Sequence, residues 1–397
     1  MLNAAILTVV IATGALLLHP RLANATVWRA TVTPLASIIG SGFLVIGPIL
    51  DFNFGLFAPL IMLALTAMAY AFGAAIRYNI QTIDAQPERT VWVERLEVLA
   101  SLVLAFAYVI SVAYYLNLFG AFGISLTALD AAADARLLTT FMFFVILIFG
   151  WTKGFSALER LEQISVGLKL TIIAGLLFGL VVHFVNTVRA EEMPMNPAQV
   201  SGWSALTLVF GLIVTVQGFE TSRYLGETYD ARTRVRSMKL AQVVSTAIYV
   251  IYIALLSYAF VPGTMDLDET AIIDMMEIVA PILPVLLVAA ALSAQFSAAV
   301  ADTSGSGGLI SEISGHRIPS KLAYTFLVGI GVVLTWSLNI FEIISYASRA
   351  FAVYYALQAS IAALSAYSAR RWLSLVGFVS LATLGVAIAV FGQPVEV

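Results

Sequence analysis

Long apolar runs alternate with short polar segments along the whole chain. A helix needs about 20 apolar residues to cross the roughly 30 Å hydrocarbon core of a bilayer, and shorter runs suffice when a helix is broken or tilted. Twelve such runs occur, near residues 4–18, 31–50, 56–76, 98–120, 137–151, 164–186, 203–219, 240–262, 278–301, 322–340, 343–368 and 371–391. Membrane barrel strands would instead alternate apolar and polar residues over about ten positions. The pattern predicts an all-α polytopic membrane protein with about twelve transmembrane helices.

Composition agrees with a membrane protein and narrows its chemistry. Of 397 residues, 61% are apolar and 11% are charged, whereas about a quarter of the residues in a soluble domain are charged. The net charge of −3 gives no basic surface for nucleic acid, which we do not expect as a partner. The chain has no cysteine and three histidines far apart in sequence, so we expect no metal site and no cofactor.

Basic residues divide unevenly between the two sets of loops. Sixteen of the 20 lie on one set, Arg136 and Arg189 lie on the other, and Lys169 and Arg349 fall inside apolar runs. Since cytoplasmic loops carry the positive excess, both termini are predicted to face outward. The first run lacks a basic segment before it and a small-residue cleavage site after it, so we interpret it as a retained helix rather than a signal peptide.

Two of the runs carry glycine interruptions at the depth of the membrane. The second contains Gly40-Ser41-Gly42, and the seventh contains Gln217-Gly218. Glycine costs a helix about 1 kcal/mol relative to alanine, and unwound backbone is tolerated in a membrane only where it is buried in protein or lines a cavity. Close helix packing through small residues is the alternative for the first interruption.

The interruptions open two successive blocks of five helices, which is typical of transporters with inverted repeats. We therefore predict an additional N-terminal helix in 1–30, a first repeat in 31–186, a second repeat in 203–368 and a peripheral C-terminal helix in 369–397.

Several short motifs together resemble one transporter family. The stretch from Ile38 to Pro48 (IIGSGFLVIGP) resembles the first core helix of the amino acid/polyamine/organocation (APC) superfamily, which has the leucine-transporter fold of five plus five inverted helices. The segment Gln217-Gly218-Phe219-Glu220 and its basic exit resemble the sixth core helix. The stretches 167–179, 305–319 and 354–371 resemble parts of the fifth, eighth and tenth core helices, so the resemblance covers about residues 31–391.

The resemblance implies a substrate site at the two interruptions. Backbone N–H groups at Gly40, Ser41 and Gly42 would hold a carboxylate, as the positive end of a helix does for anions. Gln217, Gly218 and Phe219 would form the facing wall, with Phe219 either a gate or an ordinary packing residue. Tyr108 is a candidate to line the pathway, although tyrosine is also common at membrane interfaces.

Charged residues inside apolar runs are costly and are therefore candidates for function. Lys169 matches the family position where an ammonium stands in the region that binds sodium in other members, and the alternative is a lysine that snorkels to the inner surface. Asp302 is its expected partner. The hydroxyls of Thr303 and Ser304 are ligands that sodium would also accept.

Two further charges complete the candidate set. Glu220 follows the second interruption and is either a proton-coupling carboxyl or a structural one. Arg349 is either an outer gate that pairs with Glu342 or Asp51, or a snorkelling surface residue. The charged segment 77–97 is expected to form solvated charge pairs on a cytoplasmic helix.

We expect a secondary-active transporter, not an enzyme, in a bacterial inner membrane. Its partners are the lipid bilayer, an amino-acid-like solute and, as coupling ion, H⁺ or Na⁺. Lys169 favours a sodium-independent or proton-linked carrier. The alternative is a sodium symporter that uses Thr303 and Ser304 with carbonyls near Ala36 and Ser37; a membrane enzyme or a channel is less favoured, because neither converging catalytic groups nor a filter loop is evident.

Overall fold

The computed structural model describes residues 1–40, 42–85, 90–127, 132–152, 159–191, 193–226, 228–260 and 267–396. Within these ranges the chain forms fifteen α-helices and no strand. The helices are α1 (Leu2–Leu17), α2 (Pro20–Ala23), α3 (Thr26–Ile38), α4 (Gly42–Phe54), α5 (Ala58–Ala85), α6 (Val91–Ile124), α7 (Ala132–Thr152), α8 (Glu159–Arg189), α9 (Gly202–Gly211), α10 (Ala231–Ser257), α11 (Ala271–Val279), α12 (Leu283–Ile313), α13 (Ser320–Ser337), α14 (Ile340–Ser368) and α15 (Trp372–Phe391).

Each of the twelve predicted apolar runs contains an α-helix among the described residues, and the runs 31–50 and 203–219 are interrupted within the run. In the described part of the chain, nine helical segments are long and apolar enough to cross a membrane, one of them being the continuous stretch Gly42–Thr82. Leu2–Leu17 and Gly202–Gly211 are shorter apolar helices. The prediction of an all-α polytopic membrane protein is confirmed.

Both predicted interruptions are helix ends. α3 stops at Ile38, and α4 starts again at Gly42. α9 stops at Gly211 and gives way to two short 3-10 segments, Ile213–Val216 and Phe219–Tyr224. Between these two segments Gly218 has a φ of +114°, a backbone conformation that favours glycine because a Cβ would be strained there.

The broken helices lie inside a shell of long helices. α3 packs against α10, α6 packs against both α12 and α14, and α8 packs against α12. α14 is central, since 61% of an apolar 18-residue stretch of this helix is buried. α15 is peripheral, since only 11% of the corresponding stretch is buried. The assignment of 31–186 and 203–368 as two inverted repeats stays a prediction.

Candidate functional site

The two interrupted helices touch each other at their breaks. A Cβ on Gly42 would lie 2.7 Å from the Cα of Thr215, and a Cβ on Gly218 would lie 2.6 Å from the carbonyl carbon of Ser37. Either atom would collide with backbone, so the contact requires glycine at both positions. Close packing through small residues and an unwound helix therefore occur together at the first break. Ser41, a predicted carboxylate ligand, lies outside the described residues.

The carbonyls at the end of α3 receive donors from other helices. The last carbonyls of a helix have no intrahelical partner and must be satisfied from elsewhere. Lys169 on α8 donates from Nζ to the Ala36 carbonyl at 2.6 Å. The Tyr249 hydroxyl on α10 lies 2.9 Å from the Ile38 carbonyl and 2.8 Å from the Thr215 carbonyl. Tyr249 thus contacts both broken helices through one hydroxyl group.

A side chain of α14 likewise forms hydrogen bonds with the backbone at the second break. The Ser348 hydroxyl donates to the Gly211 carbonyl at 2.7 Å, at the end of α9, and accepts from the Val214 N–H at 3.0 Å. One side chain therefore satisfies two backbone groups that unwinding has released.

Lys169 is buried, with 5% of its surface exposed, and so it does not snorkel to the membrane surface. Its ammonium lies at the C-terminal end of α3, where the helix dipole favours a cation. It also borders a cavity of about 20 Å³ between α4, α8 and α12, which is bounded by Gly40, Phe43 and Gln295 among others. That volume is enough for about one water molecule.

The predicted ion-site residues on α12 have partners of their own. Asp302 is buried and accepts a hydrogen bond from the Ser111 hydroxyl on α6. The Thr303 hydroxyl donates to the Ala299 carbonyl at 2.6 Å, within its own helix, and Ser304 is partly exposed. The expected pairing of Asp302 with Lys169 stays a prediction.

Glu220 is fully buried directly after the second break. Its Oε2 accepts from the Gly218 N–H at 2.9 Å and from the Tyr355 hydroxyl at 3.1 Å. Its Oε1 has no hydrogen-bond partner among the described residues. The carboxyl group therefore orients the unwound backbone and still presents one oxygen for another donor.

Gln217 and Phe219 are buried on either side of Gly218. Gln217 Nε2 donates to the Tyr115 hydroxyl on α6 at 2.8 Å, while its Oε1 has no hydrogen-bond partner among the described residues. The Phe219 ring stacks on the Tyr355 ring with centroids 5.1 Å apart. This contact agrees with the packing interpretation of Phe219 and leaves its predicted gating role untested.

Tyr108 lies on the same face of α6 as Ser111 and Tyr115, at helical spacings of three and seven residues. Its ring is buried, makes an edge contact with Phe351 at 6.1 Å and lies against Gly305 of α12. One face of α6 therefore contacts both Asp302, through Ser111, and the second break, through Tyr115.

Arg349 lies apart from this group. Its Nε donates to the Ala389 carbonyl of α15 at 2.7 Å, and in the described ranges it forms no ion pair with Glu342 or Asp51. Glu342 instead caps the start of α14 together with Asn339. The Ala389 carbonyl, near the end of α15, thus takes the place of the expected acidic partner. The gate role remains a prediction without a supporting contact.

The expectation of solvated charges in 77–97 is wrong for two residues. Arg77 is buried and donates to the Gln242 side chain. Glu97 forms an ion pair with Arg223, which also donates to the Gln358 side chain. Since α5, α6, α10 and α14 converge here, their packing removes these charges from water.

Comparisons with known proteins agree with this architecture. A sequence model for APC superfamily transporters matches residues 20–392. The chain belongs to the APC superfamily of transporters. A comparison with individual protein sequences finds a relative in Aquifex aeolicus (strain VF5), an uncharacterized protein. The two sequences are 42% identical over 389 residues, which cover 96% of this chain and 94% of that protein.

The fold of this APC superfamily transporter is similar to that of two crystal structures of variants of the Eremococcus coleocola manganese transporter. In both comparisons the TM-score is 0.57 and the identity is 15%, over 92% of this chain and 86% of the other. At that identity the likeness concerns the fold alone. Membership of the superfamily implies a small-molecule substrate and a lipid bilayer around the helices.

Proposed function

We propose that this APC superfamily transporter carries an amino acid or a related small organic solute by alternating access, independently of sodium. The observation that carries the proposal is the direct contact of the two breaks, at Gly42 with Thr215 and at Gly218 with Ser37. Unwound segments place backbone donors and acceptors at membrane depth, where a polar solute needs them.

The chemistry of the breaks suits a molecule that has both a carboxylate and an amino group. α4 starts at Gly42, so the N–H groups of its first turn have no carbonyl within the helix and form the positive end of its dipole. Gln217 and Glu220 each retain a buried oxygen without a hydrogen-bond partner among the described residues. The solute's carboxylate would bind the N–H groups at the start of α4, and its ammonium would donate to these oxygens of Gln217 and Glu220.

Lys169 supports sodium independence. A sodium ion held by the carbonyls of Ala36 and Ser37 would lie close to the Lys169 ammonium, which donates to the Ala36 carbonyl. Two unit charges 4 Å apart repel by about 4 kcal/mol at an effective dielectric constant of 20. The Lys169 ammonium therefore either stays charged and replaces the coupling ion, or releases and rebinds a proton whose gradient drives transport.

Manganese, named for the two structural neighbours, is the competing cargo. Manganese favours carboxylate, carbonyl and water oxygens. Within the described ranges, no group of three His, Asp or Glu residues is placed to hold a metal ion. Glu220 is the only acidic residue of the segment 211–226, and we therefore favour the organic solute.

Uptake into proteoliposomes tests the proposal. A panel of radiolabelled amino acids and ⁵⁴Mn²⁺ would be offered to the full-length protein with a sodium gradient, with a proton gradient, and with internal amino acid for exchange. We expect saturable amino-acid uptake that needs no sodium. Gly218→Ala is the inactive control, since its Cβ would collide with Ser37. Manganese uptake without amino-acid uptake, or uptake driven by sodium alone, would overturn the proposal.

A further inference from the structure

A groove on the outside of the helix bundle lies along the line where the peripheral helix α15 packs against α14. Its volume is about 650 Å³, within the range of ligand-sized clefts. The lining is mostly apolar and includes Leu364 and Tyr367 of α14 and Leu375, Val379 and Ala382 of α15. The groove runs along two antiparallel helices, so its long axis follows the direction in which lipid acyl chains lie.

The turn that joins the two helices supplies charge at one end of this groove. Arg370 and Arg371 form the turn, which is closed by a hydrogen bond from the Arg371 N–H to the Ala366 carbonyl at 2.9 Å. Tyr367 and Leu375, the lining residues nearest the turn, each lie one helical turn from Arg371. The groove therefore ends at two adjacent arginines.

Both arginines are available to an external anion. Their side chains are exposed and have no hydrogen bond or ion pair to any residue in the described ranges. Between Glu342 and Glu396 the chain contains no acidic residue, so no carboxylate of this hairpin competes for them. They belong to the loops predicted to face the cytoplasm, where basic residues attract anionic lipids.

Aromatic side chains mark the same level as a membrane interface. The Tyr367 and Trp372 rings make an edge contact at 5.9 Å, and both are more than half exposed. Tyrosine and tryptophan concentrate at the depth of lipid headgroups. An apolar groove thus meets an aromatic pair and two cations at the place where an acyl chain meets its headgroup.

We propose that the α14–α15 groove is a binding site for an anionic phospholipid, with one acyl chain along the groove and the headgroup phosphate against Arg370 and Arg371. Arginine suits a phosphate because its planar group donates two parallel hydrogen bonds. The site does not depend on which solute the protein carries.

Native mass spectrometry of the full-length protein tests the site, with dioleoylphosphatidylglycerol and dioleoylphosphatidylcholine titrated separately as probes. We expect wild-type protein to bind phosphatidylglycerol more tightly than phosphatidylcholine. The double variant Arg370→Gln/Arg371→Gln should bind phosphatidylglycerol about 30-fold more weakly. Both arginines are exposed, so this variant should fold as the wild type does.

Two further variants separate the groove from general charge. Arg317→Gln/Lys321→Gln removes the same charge near the α12–α13 turn and should weaken phosphatidylglycerol binding less than about threefold, because it acts only through screened long-range attraction. Ala382→Trp fills the groove and should weaken binding of both lipids. Equal loss in the two double variants, or equal affinity of the wild type for both lipids, would overturn the proposal. A protein dimer abolished by Ala382→Trp would assign the groove to a second copy and overturn it as well.

Discussion

Tyr249 is predicted to hold the two breaks in register, and Tyr249→Phe isolates that role. The substitution keeps the ring, which lies 5.4 Å from Phe43, and removes the hydroxyl that reaches the Ile38 and Thr215 carbonyls. Hydrogen bonds between membrane helices contribute about 0.6 kcal/mol on average, and an unpaired buried acceptor costs about 1–3 kcal/mol. We expect the free energy of unfolding to fall by about 1–2 kcal/mol and uptake to fall with it.

Tyr252→Phe is the matched control. Tyr252 lies one turn further along α10, is equally buried, and has a hydroxyl without a hydrogen-bond partner among the described residues. Its ring stacks on Phe43 at 4.4 Å, a contact that phenylalanine retains. Since a buried unpaired hydroxyl is unfavourable, its removal should be neutral or stabilising. Unfolding of both variants in detergent micelles by added SDS measures the difference. If Tyr249→Phe is as stable as Tyr252→Phe, the bridging role is wrong.

Three substitutions test the charged residues. Lys169→Met removes the donor to the Ala36 carbonyl and should abolish uptake, or leave uptake that neither internal amino acid nor a proton gradient stimulates. Normal stimulated uptake would show that Lys169 is merely structural. Glu220→Gln cannot take up a proton but keeps an oxygen that can accept from the solute's ammonium, so it should lose stimulation by a proton gradient while exchange persists. Full stimulation would assign the carboxyl a structural role. Arg349→Gln loses the donor to Ala389 and should cost about 1 kcal/mol of stability with uptake unchanged; lost uptake at unchanged stability would restore the gate hypothesis.

The helix breaks could be predicted because glycine within an apolar run has few physical explanations. Gly42 and Gly218 both lie at a boundary between helical segments and approach another backbone closely. The burial of Lys169 was one of two alternatives in the sequence. Its bond to Ala36 was not accessible, because it depends on where α3 ends and on the packing of α8 against that end.

Tyr249 and Ser348 could not be identified from the sequence. A tyrosine or serine in an apolar run is common at interfaces and in helix packing, and nothing local shows which carbonyls it will meet. For Arg349, the sequence offers only opposite charge as a guide to a partner, so its gate interpretation predicts an acidic residue. In the folded protein the C-terminal end of α15 provides the acceptor, at the Ala389 carbonyl 40 residues further along the chain.

The central claim is that the solute binds where the two helix breaks meet. Chemical labelling of a cysteine placed at Ser37, beside both breaks, tests it most directly. The chain has no native cysteine, and Ser37, which contacts Gly218, is partly exposed. The labelling rate of Ser37→Cys by a small methanethiosulfonate reagent would be measured with and without a saturating transported amino acid, beside the exposed control Ser204→Cys on α9. We predict that the solute slows labelling at Ser37→Cys and leaves the control unchanged. An unchanged rate at Ser37→Cys would contradict the account.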